Sequence, residues 1–425
     1  MKCEKRKVAQ GRVPKLRFPE FRGAGEWEEN QLINYLAESR IQGSKGDTAK
    51  KITVKLWGKG VFGKENVIQG SANTQYYRRK AGQFIYSKLD FLNQAFGIIP
   101  THLDSYESTV DLPCFDIVDD IDLIFLLEYV QRKEFYEKYG ETADGSRKAR
   151  RIHADSFLLF PVFLPCVKEQ QKIADCLSSL DELITLHTQK LASLKTRKKG
   201  SMQQLFPAEG ETVPKLRFPE FQGAGEWEEK TLGEISAISS GGTPSRSKKA
   251  YWNGSVPWIT TSLIDFNMIF SANEYISELG LKESSAKIFR KNTILMAMYG
   301  QGITRGKVAL MGIEAATNQA CAAITLKPEL DSNFVFQNLA SRYEKIRDIS
   351  NAGGQENLSQ GLIEKIPFTY PADSVHGIRE QQKIADCLSS LDELITAQTQ
   401  KIATLKTHKK GLMQGLFPSA DEVNA

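Results

Sequence analysis

Two stretches of this chain occur twice, and the stretches between the copies do not. Val13–Glu29 reads VPKLRFPEFRGAGEWEE and returns as Val213–Glu229 with sixteen of seventeen positions unchanged, at an offset of 200. Glu169–Pro207 begins EQQKIADCLSSLDELI and returns as Glu380–Pro418 with 32 of 39 positions unchanged, at an offset of 211. Agreement at that level does not arise by chance. Each half is therefore a near-constant head, a long insert and a near-constant tail. The inserts, 30–168 and 230–379, are similar in length but share no comparable run of identity. A frame kept in duplicate around two divergent inserts implies one mount carrying two different specificities. The period is far too long for a solenoid repeat, so each half reads as a domain plus an arm. The expected bounds are a tail at 1–12, a domain at 13–168, a helix at 169–207, a domain at 208–379, a helix at 380–418 and a tail at 419–425.

The repeated tail predicts a long helix with a heptad seam. Seam positions fall at Ile173, Leu177, Leu180, Ile184, His187, Leu191 and Leu194, then Lys198, Ser201 and Leu205, in alternating steps of four and three. The second copy keeps the register through Ile384, Leu388, Leu391, Ile395, Gln398, Ile402, Leu405, Lys409, Leu412 and Leu416. A stripe this narrow on so long a helix needs a partner, and the other copy supplies it. An antiparallel pair about a pseudo-two-fold axis would place the inserts at opposite ends. His187 and Gln398 are polar seam positions that would fix register and orientation. The basic runs Lys195–Lys199 and Lys406–Lys410 suit helix C-termini, where the dipole favours cations; contact with phosphates or an acidic partner is the other reading. Pro14 and Pro19, with their copies Pro214 and Pro219, prevent a helix through LRFPEF. The head is expected as an extended arm anchored by Phe18, Phe21 and Trp27. Because it is duplicated, it should contact something else that is duplicated, most simply the long helices.

The inserts read as α+β, with short Gly-bounded strands and one or two helices each. In the second, Leu232–Ser239 is strand-like and leads into the turn-rich Gly241–Arg246 (GGTPSR); Ile294–Tyr299, Lys307–Met311 and Asn318–Leu326 read as strands, and Ser332–Arg347 as a helix. In the first, Gln83–Lys88 and Cys114–Val118 read as strands and Asp122–Tyr139 as a helix. Their loops are dense in side chains that read base edges or grip phosphates: Arg and Lys toward guanine, Asn and Gln toward adenine, Ser and Thr toward either. The second insert offers Ser245, Arg246, Lys248, Lys249, Gln301, Thr304, Arg305, Gln355 and Asn357. The first offers Tyr76, Tyr77, Arg78, Arg79, Lys80, Gln94, Arg147, Lys148, Arg150 and Arg151. Polar loop residues are commonly just solvated, so the loops as groups carry this reading better than any one member.

Composition narrows the function classes. A net charge of +5 is too mild to demand nucleic acid, but its distribution is uneven. Thr101–Asp144 holds twelve acidic residues against three basic, and Gly145–Arg151 then holds four basic residues in seven. Six scattered cysteines form no CxxC pair and five histidines show no ligand spacing, so neither disulfides, a metal nor another cofactor is expected. There is no GxxxxGK[ST] loop, HExxH, GxSxG or Asn-Pro-Pro-Phe/Tyr tetrapeptide, and no catalytic residues are assigned. The charged N-terminus and the lack of an apolar run of about 18 residues lead to a cytoplasmic, non-membrane expectation.

On PKLRFPEF and GEWEE in each head, EQQKIADCLSSLDELI in each tail, the GGTPS loop, Tyr251-Trp252 through Trp258, and GGQENLS, the chain resembles the specificity subunits of type I restriction-modification systems. The resemblance covers nearly the whole length. It implies two globular α+β target recognition domains, each reading one half of a split double-stranded DNA sequence, on two long helices paired as an antiparallel coiled coil that sets the gap. It implies partner methyltransferase (modification) and restriction/translocase subunits, which would carry the S-adenosylmethionine, ATP and magnesium sites and the catalysis. After GEWEE the first half runs Leu32–Tyr35 with no GGTPS counterpart, a departure from the second half. The competing reading is a coiled-coil adaptor whose inserts bind proteins.

Overall fold

The computed structural model describes residues 12–65, 71–142, 151–300, 303–351, 357–373 and 375–418. The chain divides into two compact units, Met1–His187 with Lys401–Ala425, and Thr188–Gln400. Each unit holds one insert, the start of the long helix that follows it and the end of the other long helix. The helices run Val167–Leu205 and Gly377–Leu416, 39 and 40 residues, or roughly 60 Å each at 1.5 Å per residue. Gly200 and Gly411 do not break them, and both stop just before Pro207 and Pro418. Along each helix the seam positions are buried or half-buried, while the residues between them are mostly exposed. Among the described residues no helix is long and apolar enough to cross a membrane.

The antiparallel arrangement expected from the seam appears in each unit taken alone. In the first, Lys409 Nζ donates to Asp181 Oδ2 at 2.7 Å. Beyond Lys409, Leu412, Met413, Leu416 and Phe417 run back along Ile173, Ala174 and Leu177 in one core. In the second, Lys198 Nζ donates to Asp392 Oδ1 at 2.6 Å, and Met202, Leu205 and Phe206 share a core with Ile384, Ala385 and Leu388. Lys198 and Lys409 are copies of one another, as are Asp181 and Asp392, so one pairing is made twice.

The heads clamp these helices identically. Arg17 donates Nε and Nη2 to the two oxygens of Glu169 at 2.7 and 2.6 Å, and Arg217 does the same to Glu380 at 2.7 and 2.7 Å. The Leu16 N–H reaches the Gly415 carbonyl, and the Leu216 N–H reaches the Gln204 carbonyl. Each head therefore touches the start of one helix and the end of the other. Trp27 lies under this clamp with Phe125 and Phe417, its ring centroid 5.7 and 6.1 Å from theirs. Trp227 meets Phe334 at 5.7 Å, and Phe334 meets Phe206 at 5.5 Å.

The inserts diverge in sequence but share a plan. Each is closed at its base by an antiparallel ribbon, Glu28–Gln31 with Pro161–Leu164 and Glu228–Thr231 with Pro367–Tyr370. The first insert then forms a sheet in the order Leu36–Ser39, Cys114–Ile117, Phe84–Tyr86, Phe96–Ile98. The second follows the same order with Ser236–Ser240, Cys321–Leu326, Ile294–Ala297, Val308–Met311, and adds Met268–Ile269 at the edge. Both inserts plug into the frame at one point. Asp122 caps its helix by accepting from Phe125 N, while its own N–H donates to Gln170 Oε1. Asp331 accepts from Phe334 N and donates to Gln381 Oε1. Gln170 and Gln381 are copies, which is why an Asp-x-x-Phe start survives in two otherwise different inserts.

Some expected elements differ in detail. The strand Leu232–Ser239 opens as a helical turn, Leu232–Ile235, held by a Thr231/Glu234 capping box, and extends only from Ser236. The helix Asp122–Tyr139 is two helices, Leu123–Val130 and Lys133–Gly140. No Gly or Pro marks the break. Arg132 there turns inward, lies 4.2 and 4.7 Å from the Tyr129 and Phe417 rings, and donates to the Pro418 carbonyl at 3.1 Å. Those partners include residues almost 290 positions away, which helical periodicity cannot register. Ser332–Arg347 is likewise two helices, Ser332–Ser341 and Tyr343–Asn351.

Candidate nucleic-acid interface

In the second insert the turn after Ser236–Ser240 is built to a fixed shape. A Cβ on Gly241 would lie 2.0 Å from the Thr317 carbonyl oxygen, and one on Gly242 would lie 2.2 Å from Ser285 Oγ, so only glycine fits. Two indoles then hold the turn from below: Trp258 Nε1 donates to the Gly242 carbonyl at 3.0 Å and Trp252 Nε1 to the Ser245 carbonyl at 3.1 Å. The consequence is a rigid loop whose outer run, Ser245 to Ala250, is exposed. Arg246 lies 3.7 Å from the Trp252 ring centre and pairs with both oxygens of Glu274, at 2.5 and 3.0 Å. That guanidinium holds the Glu274 carboxyl below the usual range. Lys248 donates to the Tyr251 hydroxyl, which donates to Glu283, while Lys249 stands exposed beside them. Ser245, Arg246, Lys248 and Lys249 thus form one preformed polar edge, on which Arg246 is paired with Glu274 and Lys248 lies 3.8 Å from Glu283.

The other sequence-derived candidates of this insert are placed differently. Thr304 is half-buried and Asn357 exposed, while Gln301 and Gln355 lie outside the described residues. Arg305 is a correction: it is buried, so its guanidinium is not presented to a ligand in solution.

The first insert carries a three-stranded sheet of Gln42–Lys45, Gln75–Arg78 and Glu107–Ser108. Its strands are locked by the buried Glu107 carboxylate, which accepts from Ser44 N at 2.9 Å and Ser44 Oγ at 3.0 Å. Arg78 and Lys80 are exposed, and Tyr76 and Tyr77 are half-buried, with Lys51 5.5 Å from the Tyr76 ring centre. Arg79 is a second correction. It is only 2% exposed and donates to Ser108 Oγ and to the Ser39, Leu112 and Thr109 carbonyls, so it ties strands together instead of facing outward. Burial pulls its pKa down, and the carbonyls supply the acceptors the cation needs. Two adjacent arginines look alike in sequence, and nothing local says which of them points inward. Arg151 pairs with Asp111 at 3.7 Å, and Arg147, Lys148 and Arg150 lie outside the described residues.

Beside this sheet stands a hairpin that the loop motifs do not mark, Ile52–Val54 paired with Val61–Gly63. Ile52, Val54 and Val61 are buried in a core with Ile85, Ile99 and Leu103. Its turn, Lys55 to Lys59, is exposed throughout and includes Trp57. The turn is bonded to the residue before Gln94 and to Gln94 itself: Trp57 N–H donates to the Asn93 carbonyl at 2.8 Å and Gly58 N–H to the Gln94 carbonyl at 3.0 Å. Half-buried Gln94 is thereby brought against the hairpin. The sequence signal that could have found it is Lys50–Lys64, which holds five lysines, a tryptophan, a phenylalanine and no carboxylate. Among the described residues no group of three or more His, Cys, Asp or Glu side chains could hold a metal ion.

The chain is similar to known proteins in sequence and in fold. The family described as the type I restriction modification DNA specificity domain matches residues 121–196 and 224–407. The EcoR124I/EcoR124II type I restriction enzyme specificity subunit of Escherichia coli is 29% identical over 270 residues, 61% of this chain and 62% of that subunit. The MjaIX specificity subunit of Methanocaldococcus jannaschii is 31% identical over 175 residues, 40% of this chain and 39% of its own length. The matches thus span less than two thirds of these two relatives. Among solved structures, the S subunit of the type I restriction-modification system from M. genitalium superposes with a TM-score of 0.61 at 16% identity, covering 96% of this chain and 99% of that one.

Proposed function

Because the chain belongs to the type I restriction-modification DNA specificity family, we propose that it is the DNA-reading subunit of such a complex, each insert recognising one half of a split target. The observation that carries this is the frame itself, the same clamp, seam and plug made twice around two inserts with different exposed surfaces. A subunit with a single target would not need two mounts of one design. The rigid edge at Ser245, Arg246, Lys248 and Lys249 is the reading surface of the second insert, and Tyr76, Arg78, Lys80 and Gln94 belong to that of the first. Arg and Lys on such edges meet guanine or phosphate, and Gln meets adenine. Domains at 13–168 and 208–379 serve as target recognition domains, and the paired helices set the unread gap, with half-sites about one helical turn apart. Catalysis belongs to the partners. Adenine methylation takes the base out of the stack, so a modification subunit has to sit beside each half-site.

The test is a methylated-base map of DNA from cells carrying the chain with the modification subunit of its own system. The expected result is a split motif with a constant gap, and exchange of residues 230–379 for another insert alters one half of it only. A contiguous motif, or change in both halves, overturns the two-reader function.

Docking of those partners is assigned to the exposed apolar side chains that each long helix carries off its seam. Leu183, Leu186 and Leu394 are large apolar side chains left exposed off the seam, and Leu183 and Leu394 are copies of one position. Leu183→Asp with Leu394→Asp is expected to abolish co-purification with the modification subunit while changing stability by no more than about 0.5 kcal/mol, as exposed substitutions do. Undiminished co-purification removes these side chains from the docking surface.

A further inference from the structure

We propose that the hairpin Ile52–Val54/Val61–Gly63 is the element with which the first insert enters DNA, its Trp57 indole packing on bases while Lys55 and Lys59 hold flanking phosphates. This rests on the DNA-reading function above and adds residues to it.

The backbone supplies the first reason. Trp57 has φ +61°, a left-handed conformation that glycine or asparagine adopts far more easily than a bulky aromatic. Gly58 beside it has φ +64°, so two consecutive residues are left-handed. The hydrogen bonds to the Asn93 and Gln94 carbonyls hold the turn there. Nothing about the turn itself needs an indole, since a second glycine would serve better. A strained residue maintained by its surroundings points to a use for its side chain.

Exposure supplies the second. Trp57 is 57% exposed, and the other four tryptophans are buried or half-buried. Leu56 and Phe62 are exposed beside it. The hairpin is nevertheless rigid, because its inner face is part of a closed core. An aromatic held out on a stiff two-stranded ribbon loses little freedom when it binds, and a ribbon of that width fits the major groove.

Charge identifies the occupant. Lys50, Lys55, Lys59 and Lys64 are all exposed, and no ion pair among the described residues engages them. Lys55 Nζ lies 4.7 Å from the Phe62 ring centre, so cation and aromatic face outward together. Lysines flanking an exposed indole match a polyanion that also offers apolar surface between its charges. Duplex DNA offers both, phosphates along the backbone and, in the major groove, base edges with thymine methyl groups against which an indole packs.

The experiment uses the full chain with its modification partner, titrated with random-sequence duplex DNA at several salt concentrations. Trp57→Ala and Trp57→Gly should each weaken binding roughly tenfold or more, the scale of one lost base-edge contact, and leave the salt slope unchanged. Lys55→Ala with Lys59→Ala should lower the salt slope by about two, one for each phosphate no longer neutralised. Tryptophan emission, which changes when DNA is added to the wild type, should respond less in Trp57→Phe. Trp57→Gly suits its backbone better than the wild type, so its melting temperature should be equal or higher. Wild-type affinity in a folded Trp57→Gly, with wild-type binding still steeply salt-dependent, overturns the hairpin assignment and leaves the DNA-reading function standing. Weakened binding accompanied by a lower melting temperature also overturns it. A wild-type complex that binds DNA with no salt dependence overturns the DNA-reading function, and the hairpin with it.

Discussion

Arg17→Met should destabilise the first unit by about 3–5 kcal/mol, the usual cost of stranding one member of a buried ion pair. Glu169 is 1% exposed and takes both its strongest hydrogen bonds from the Arg17 guanidinium. Without them a carboxylate stays in a site that water does not reach. Arg17 also donates to the Ala24 and Gly25 carbonyls, so the head loses its anchor to itself as well as to the helix. Arg217→Met should do the same to the second unit, because Glu380 is equally buried and Arg217 makes the same four bonds. The double replacement Arg17→Met/Glu169→Met should recover much of the loss, since two apolar side chains leave no buried charge behind. Denaturant titration of the three variants decides this. A single variant that loses less than about 1 kcal/mol would show the head to be loosely held, of the order of an exposed surface pair.

Lys409→Met and Lys198→Met should differ although the residues are copies. Lys409 faces two carboxylates, Glu128 at 2.8 Å and Asp181 at 2.7 Å. Lys198 faces Asp392, whose second partner is the amide of Gln337, donating at 2.7 Å. Removing Lys409 therefore leaves two like charges together, one of them on the buried Glu128, for a loss of about 3–5 kcal/mol. Removing Lys198 leaves a partly exposed carboxylate that still accepts from an amide, for about 1–2 kcal/mol. Burial keeps the Glu128 carboxyl above its ordinary 4.5, with Lys409 pulling the other way. Burial also works against the Lys409 ammonium, but Glu128 and Asp181 carry its pKa above 10.5.

The pH dependence follows. A carboxyl raised on folding binds a proton the unfolded chain has already released, so its contribution is fully present below 4.5 and is lost as pH rises through the folded value. Lys409→Met removes the cation that restrains the Glu128 shift. Its deficit should be greatest at neutral pH and shrink as pH falls toward 4.5. Glu128→Gln in the same background should remove most of the deficit and its pH dependence, giving the first unit the carboxylate–amide pair that Lys198→Met leaves in the second. Equal losses from the two lysine variants at every pH would mean that Glu128 is not ionised beside Lys409.

Much of this architecture is legible along the chain because it is periodic or repeated. The seam from Ile173 to Leu205 is visible, since a helix one of whose sides is covered must place apolar residues every three or four positions. Duplication makes the helices the simplest partner for the head, because Arg17 and Arg217 can meet identical partners only in segments that are themselves duplicated, but contact with the start of one helix and the end of the other comes from the fold. GGTPSR reads as a tight turn because its glycines occupy space that a Cβ would need. The hairpin around Trp57 shows in the sequence only as a basic stretch with aromatics, and nothing local announces that the indole faces out.

What no local pattern contains is the direction of a side chain whose partners are distant in the chain. Arg78 and Arg79 are neighbours of one type, yet one is exposed and the other binds the Ser39 and Leu112 carbonyls. The break at Arg132 depends on Phe417 and Pro418, and the difference between Lys409 and Lys198 on whether an insert brings Glu128 or Gln337. Two copies of a helix, a head and a seam are properties of the chain read in order, because a repeat imposes the same local chemistry wherever it occurs. Which cation is buried, which is presented and which is shared were settled by tertiary packing, where burial of a charge depends on acceptors that only folding brings within reach.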